Sequence, residues 1–179
     1  MASRPGSGSA PGSGRVDGGR GPGRDGSAGL GFAGTCAPGA GSGLAGASGG
    51  GYATVRAMAE FGDLYRAGVA MCGNHDQSSY VAGWGDCYQG LYGQAAYATQ
   101  ASHTVAGRIT GRLLLIHGEM DDNVHPVHTL RVVDALLKAG RDFEMLIVPD
   151  AGHMLIKLPA VQQRVWRHLQ RHLQPNDER

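Results

Sequence analysis

The sequence predicts an α/β fold, a parallel sheet flanked by helices, and three observations carry that prediction. Arg112–His117 (RLLLIH) is an apolar run of strand length bounded by glycines, which suits a central strand buried on both faces. Phe143–Val148 (FEMLIV) is a second such run, stopped by Pro149. Helical patterns lie between and after them, at Pro126–Ala139 and Leu158–Leu173. Strands separated by helices of this length form crossover units whose strands run parallel.

The chain has 179 residues, and its 31 glycines are unevenly placed: 19 fall in the first 51 positions. Residues 1–43 are low-complexity Gly/Ser/Ala/Pro, which bury too little apolar surface to offset their ordering entropy; the expectation there is disorder. Residues 44–174 form the expected domain, long enough for one core but short for a complete doubly wound fold. Residues 175–179 are a tail.

The elements follow in order. Gly39–Ala45 offers a single large apolar residue, Leu44, and so only a faint strand signal. Ala53–Phe61 reads as a helix with Val55, Met58 and Ala59 on one face. Leu64–Cys72 gives a short buried strand around Ala67–Met71. Gly73–Gly111 is irregular and carries Tyr80, Trp84, Tyr88, Tyr92 and Tyr97; long excursions over a sheet usually hold pockets. In the helix Pro126–Ala139, proline suits the first turn, Leu130, Val133 and Leu137 form the expected apolar stripe, and Gly140 ends the element. The last helix should turn Val161, Val165, Leu169 and Leu173 inward.

Several function classes are disfavoured. A net charge of +1 argues against nucleic-acid and membrane partners. The Arg15–Arg24 segment lacks the aromatic residues of a nucleic-acid-binding arm. Three scattered cysteines make no disulfide scaffold, and Cys72 and Cys87 read as inert. No metal or cofactor is expected, because His117, His125 and His128 with the aspartate pair match no standard zinc spacing. No apolar run reaches the roughly 18 residues of a transmembrane helix, and no signal-peptide pattern opens the chain, so the cytoplasm is the default expectation. Oligomeric state is open, a homodimer included.

The chemistry sits on three loops. Gly46-Ala47-Ser48-Gly49-Gly50 reads G-x-S-x-G, the strand-to-helix elbow that exposes a serine nucleophile in α/β-hydrolases. Asp121 follows the strand Arg112–His117, and His153 follows Phe143–Val148, at strand carboxyl ends where working loops of open parallel sheets lie. The order Ser48, Asp121, His153 is the α/β-hydrolase order of nucleophile, acid and base. A serine hydroxyl needs a base to take its proton; histidine has the right proton affinity, and a carboxylate fixes its tautomer. The Gly49 N–H would donate to the oxyanion, an interaction worth about 3 kcal/mol in the transition state. Asp122 reads instead as a solvent-facing turn residue.

Together GASGGGY, HGEMDDNVHP and DFEMLIVPDAGH resemble the catalytic-domain end of the prolyl oligopeptidase family of serine peptidases, most closely its dipeptidyl peptidase IV branch. The similarity covers roughly Gly46–Leu173. It implies a partial α/β-hydrolase fold, a peptide substrate, and Ser48, Asp121 and His153 as the triad. It further implies that Asn123 binds the substrate carbonyl. Tyr80 and Trp84 would line the pocket for the residue before the scissile bond, often proline or alanine, with Val124 against the same pocket. The resemblance also implies an N-terminally truncated copy, lacking the family's gating domain and the loop whose tyrosine completes the oxyanion hole. Two other readings compete: a catalytically inactive remnant or interaction module, and a carboxylesterase with the same triad.

Overall fold

The structure is a computed structural model, and it describes residues 32–34, 41–91 and 95–174. Five strands form one sheet in sequential order: β1 (Phe32–Gly34), β2 (Ser42–Ala47), β3 (Tyr65–Met71), β4 (Arg112–Gly118) and β5 (Phe143–Val148). β2 to β5 are parallel, and β1 adds antiparallel along the outer edge of β2. The partial α/β-hydrolase architecture expected from the sequence is therefore the one observed. Ordered pairing begins before residue 44, since Ser42 and Gly43 already pair with β3. Most of the low-complexity segment and the 175–179 tail lie outside the described residues.

Helices α1 (Gly49–Glu60) and α4 (Val127–Lys138) cover one face of the sheet, and α5 (Pro159–Leu173) covers the other. β4 shows why its run is apolar throughout. Leu113 and Leu115 pack under α1 and α4, while Leu114 and Ile116 pack under α5, and all four are buried. Val55, Met58 and Ala59 of α1 are buried as the periodicity predicts, and Val161 anchors α5 with Val165 and Leu169 beside it. β5 is the sheet's other edge and is half-exposed along its length, unlike β4.

Two expectations need correction. The excursion 73–111 is not irregular: it contains α2 (Ala82–Gln89), α3 (Ala95–Gln100) and three single 3-10 turns. Their glycine-rich, short-period sequences carry too little apolar periodicity to announce them. The stripe assigned to α4 is also displaced. Leu130 and Leu137 are 50% and 65% exposed, whereas the buried face is His128, Thr129, Val132 and Leu136. Two polar residues on that face hid its phase. They are there because both serve the loops at the carboxyl end of the sheet.

β2 becomes a strand despite its composition, SGLAGA. Small residues suit it because its neighbours approach closely. A Cβ on Gly43 would lie 2.3 Å from Leu173 Cδ1 of α5, and one on Gly46 would lie 2.3 Å from the Gly50 carbonyl oxygen. Among the described residues no helix is long and apolar enough to cross a membrane.

Candidate active site

The turn from β2 into α1 is one residue long, and that residue is Ser48. Its backbone sits at φ 55°, ψ −122°, a left-handed conformation that an L-residue other than glycine adopts only under strain. The strain is held from both sides. Ser48 N–H donates to the Met71 carbonyl at 2.9 Å, extending the β2–β3 ladder, and Ser48 C=O accepts from Tyr52 N–H at 3.1 Å, the first hydrogen bond of α1. The Gly49, Gly50 and Gly51 N–H groups precede that first bond, as at any helix start, and point out of the turn. The turn is tight: Gly46 packs on Gly50, and a Cβ on Gly51 would lie 2.7 Å from the Met71 carbonyl oxygen.

Asp121 and His153 come together across the next two loops. His153 Nδ1 lies 2.8 Å from Asp121 Oδ2, so its N–H donates to the carboxylate and leaves Nε2 as the basic nitrogen. The loops carrying them are laced by backbone bonds: Glu119 N–H donates to Val148 C=O, and Met120 N–H to Ala151 C=O, both at 3.0 Å. Gly118 is needed at the crossing, where a Cβ would meet the Ala151 carbonyl oxygen at 2.3 Å.

The Asp121 side chain is wholly buried. Its Oδ1 accepts from Val124 N–H at 2.8 Å and Asn123 N–H at 3.1 Å, and its Oδ2 also faces His117 Nε2 at 3.3 Å. Burial alone would raise its proton affinity, but the hydrogen bonds from His117, His153 and Val124 outweigh that and hold the carboxyl well below the usual range.

His117 is a support that the sequence reading did not assign. It is fully buried, with Nε2 2.8 Å from Val124 C=O and Nδ1 2.7 Å from Thr129 Oγ1. Nε2–H thus faces both the Val124 carbonyl and Asp121, while Nδ1 accepts from the threonine hydroxyl. The available signal was a histidine closing an otherwise wholly apolar strand. Cys72, the residue after β3, is buried beside the same carboxylate at φ 46°. Burial first, then the Asp121 charge, push its thiol up to about 12 against a hydrogen bond with Gly118. It stays a neutral thiol.

The excursion closes over the elbow. The Trp84 indole covers the residue after the serine: a Cβ on Gly49 would lie 3.5 Å from its Cζ2. Tyr80 packs edge-on against Trp84, with centroids 6.4 Å apart, and its hydroxyl donates to Asn123 Oδ1 at 2.9 Å. That bond turns the Asn123 amide so that its NH2 group remains to donate. Tyr80, Trp84 and Asn123 thus form a continuous wall from the serine turn to the acid loop. Val124, expected to lie against the pocket, is completely buried, and its backbone anchors Asp121 and His117 instead.

The wall is pinned to α4. His128 Nδ1 accepts from Asp76 N–H and its Nε2–H donates to Ser79 C=O, both at 3.3 Å, and Arg131 pairs with Asp76. Beneath it His75 is fully buried; burial first, then the nearby His128, His117 and His103 rings, push its imidazole down to about 3.

Among the described residues no hydrogen bond joins Ser48 Oγ to His153. The structure brings Asp121 and His153 into contact, and it sets Ser48 in a strained turn at the end of β2, two strands from β4.

Comparison with known proteins gives the family. The sequence pattern of the prolyl oligopeptidase family matches residues 39–176. The chain belongs to that family. It is 30% identical over 132 residues to dipeptidyl peptidase 8 of mouse (Mus musculus), covering 70% of this chain and 14% of the relative. It is 28% identical over 92 residues to the inactive dipeptidyl peptidase 10 of rat (Rattus norvegicus), covering 50% of this chain and 12% of the relative. The crystal structure of Porphyromonas gingivalis dipeptidyl peptidase 4 superposes with a TM-score of 0.69 at 26% identity, over 73% of this chain and 19% of that one. The chain thus spans about a seventh of the length of the dipeptidyl peptidase 8 it matches.

Proposed function

We propose that the chain is a serine-type peptidase acting through Ser48, His153 and Asp121. The observation that carries this reading is the 2.8 Å bond from His153 Nδ1 to a buried, ionised Asp121, on the same end of the sheet as a serine held in a left-handed turn. His153 Nε2 takes the Ser48 proton as Oγ attacks the scissile carbonyl, and the imidazolium formed is stabilised by Asp121. The Gly49 N–H receives the developing oxyanion. His153 then gives the proton to the leaving amine, and water repeats the sequence on the acyl-enzyme.

The same reading assigns the wall. Asn123 donates its NH2 to a substrate carbonyl, and Tyr80 and Trp84 form a flat apolar side for the residue before the scissile bond. A small or ring-shaped residue such as alanine or proline suits a wall of aromatic faces. The names of the relatives favour removal of dipeptides, and an ordinary peptide bond is the substrate class. No metal or cofactor enters the reaction.

A fluorophosphonate probe should label the protein on Ser48 and leave Ser48→Ala unlabelled. Hydrolysis of an alanyl-prolyl anilide in preference to a p-nitrophenyl ester would mark a peptidase, and the reverse preference an esterase. Folded protein that neither labels nor hydrolyses would overturn the reading. A non-catalytic member of the family is the second reading, and the missing Ser48–His153 hydrogen bond favours it. Catalytic hydrogen bonds are often long before substrate arrives, so labelling decides between the two.

A further inference from the structure

The opposite end of the sheet carries a second cluster of titratable groups that the peptidase reading leaves unused. Glu144 is the second residue of β5, paired in register with Leu114. His168 and His172 stand one turn apart on α5 and lie against it. His168 Nε2 is 3.1 Å from the Arg112 carbonyl oxygen, so Nε2–H donates there. Its other nitrogen, Nδ1, lies 3.0 Å from Glu144 Oε1. In a neutral ring that places the lone pair of a buried imidazole against a partly exposed carboxylate, an arrangement that a cation between them would satisfy. His172 Nε2 converges on the same oxygen at 3.5 Å and is buried with no hydrogen-bond partner among the described residues.

We infer that Glu144, His168 and His172 form a binding site for a divalent transition metal of the zinc type, fastening α5 to the amino end of the sheet. The spacing agrees. Ligands held at ~2.0–2.1 Å in a tetrahedron lie about 3.3 Å from one another, and the two measured separations, 3.0 and 3.5 Å, bracket that edge. All three ligand atoms lie within 4.8 Å of one another. The donor set, two imidazoles and a carboxylate, suits zinc. The outer contacts are those a metal site uses: His168 gives its remaining N–H to a backbone carbonyl, and Arg164 holds Glu144 Oε2, leaving Oε1 to the metal.

Of the three residues, His172 borders an open cavity of about 380 Å³. The site lies at the strand ends remote from Ser48, so its role is to hold the fold together, and it stands whether or not the serine is active.

Zinc titration of the full chain after chelator treatment tests this, in a Cys87→Ser background because that thiol is exposed. One equivalent should bind, and the melting temperature should rise with zinc concentration. His172→Gln, on a half-buried residue, should abolish both effects, while His125→Gln, on an exposed histidine, should leave them intact. Cobalt(II) should give the ligand-field spectrum of a nitrogen and oxygen site without a thiolate charge-transfer band. A zinc response equal in His172→Gln, or a thiolate band, would place the metal on the Cys72–His117–Asp121 group and overturn the proposal. The absence of any zinc response, with His168 Nδ1 protonated by NMR, would overturn it too, because a proton alone would then bridge Glu144.

Discussion

The acid–base half of the candidate site and its serine half are built by opposite means. Asp121 follows β4, whose leucines and isoleucine are buried on both faces, His153 follows β5, which pairs with β4 along its whole length, and their loops are cross-bonded along the backbone. Ser48 ends a strand of glycine, alanine and serine with one leucine, and its outer neighbour is a three-residue antiparallel strand. One half holds its geometry by side-chain burial and hydrogen bonds. The other holds it by the absence of side chains, since only glycines let β2, α1 and β3 approach as closely as the turn demands. The first should tolerate perturbation and keep its arrangement. The second should lose reactivity before it loses stability.

The largest effects come from the reacting groups themselves. Asp121→Asn should cut turnover about ten-thousand-fold while the protein remains folded, because the amide presents the wrong partner to His153 Nδ1–H. Anilide hydrolysis with a parallel thermal melt checks this, and a variant of nearly full activity would remove Asp121 from the mechanism. The comparison of halves is sharpened by two glycines with equal clashes. A Cβ on Gly118 or on Gly46 would lie 2.3 Å from a backbone oxygen. Gly118→Ala sits in the laced half, where nothing can yield, and should cost about 3 kcal/mol in urea unfolding. Gly46→Ala presses on the glycine-rich first turn of α1, which can shift. It should lose less stability and yet lose probe labelling, because the shift misplaces Ser48. Equal stability losses with labelling intact in Gly46→Ala would erase the distinction.

The same contrast governs what the sequence disclosed. β4, β5 and α5 were legible because burial writes itself as apolar periodicity, and Asp121 and His153, which the fold brings into contact, were singled out by their places just beyond those strands. Ser48 was legible as a motif, although β2 was hardly legible as a strand: a strand selected for close approach has no large side chains to announce it. His117, Thr129 and His128 were missed for a related reason. They are polar groups on buried faces, satisfied by partners far along the chain, and periodicity counts them as interruptions. The His168–His172 spacing was visible on the last helix, but its third member, Glu144, comes from a strand 24 residues before His168 and only the fold joins them. Tyr80 and Trp84 were identified through family resemblance, whereas the helix carrying Trp84 was not foreseen.

Histidines buried under the wall give the acid–base half a pH signature. His75 is pushed down to about 3, and His128 is lowered as well, each chiefly by burial. The folded state thus binds fewer protons than the unfolded one below the ordinary histidine value of about 6.5. Stability is fully present above that pH and is lost as pH falls from there toward the folded values. His75 alone should contribute a slope of about 1.4 kcal/mol per pH unit. Below about pH 4 the lowered carboxyls of Asp121 and Glu144 add loss in the same direction, since they are protonated more readily when unfolded. Urea midpoints from pH 7 to 5 would show it, with a shallower slope in His75→Asn. A flat profile would mean that the folded protein accepts the proton, and that the wall is less tightly closed than the buried ring indicates.

The smallest effect isolates the strain at the elbow. Ser48→Ala and Ser48→Gly both remove the hydroxyl, so both should be silent to the probe. They differ in the backbone. Alanine keeps the steric conflict of φ 55°, ψ −122°, whereas glycine accepts it. Such a conformation costs about 1–3 kcal/mol, and glycine gives back part of the gain through the freedom of the unfolded chain. Ser48→Gly should therefore be more stable than Ser48→Ala by about 1 kcal/mol in paired urea melts. That gain would show that the glycine-lined half holds its serine against a standing backbone cost. Equal stabilities would mean that the turn relaxes in solution and that β2 holds Ser48 under no standing strain.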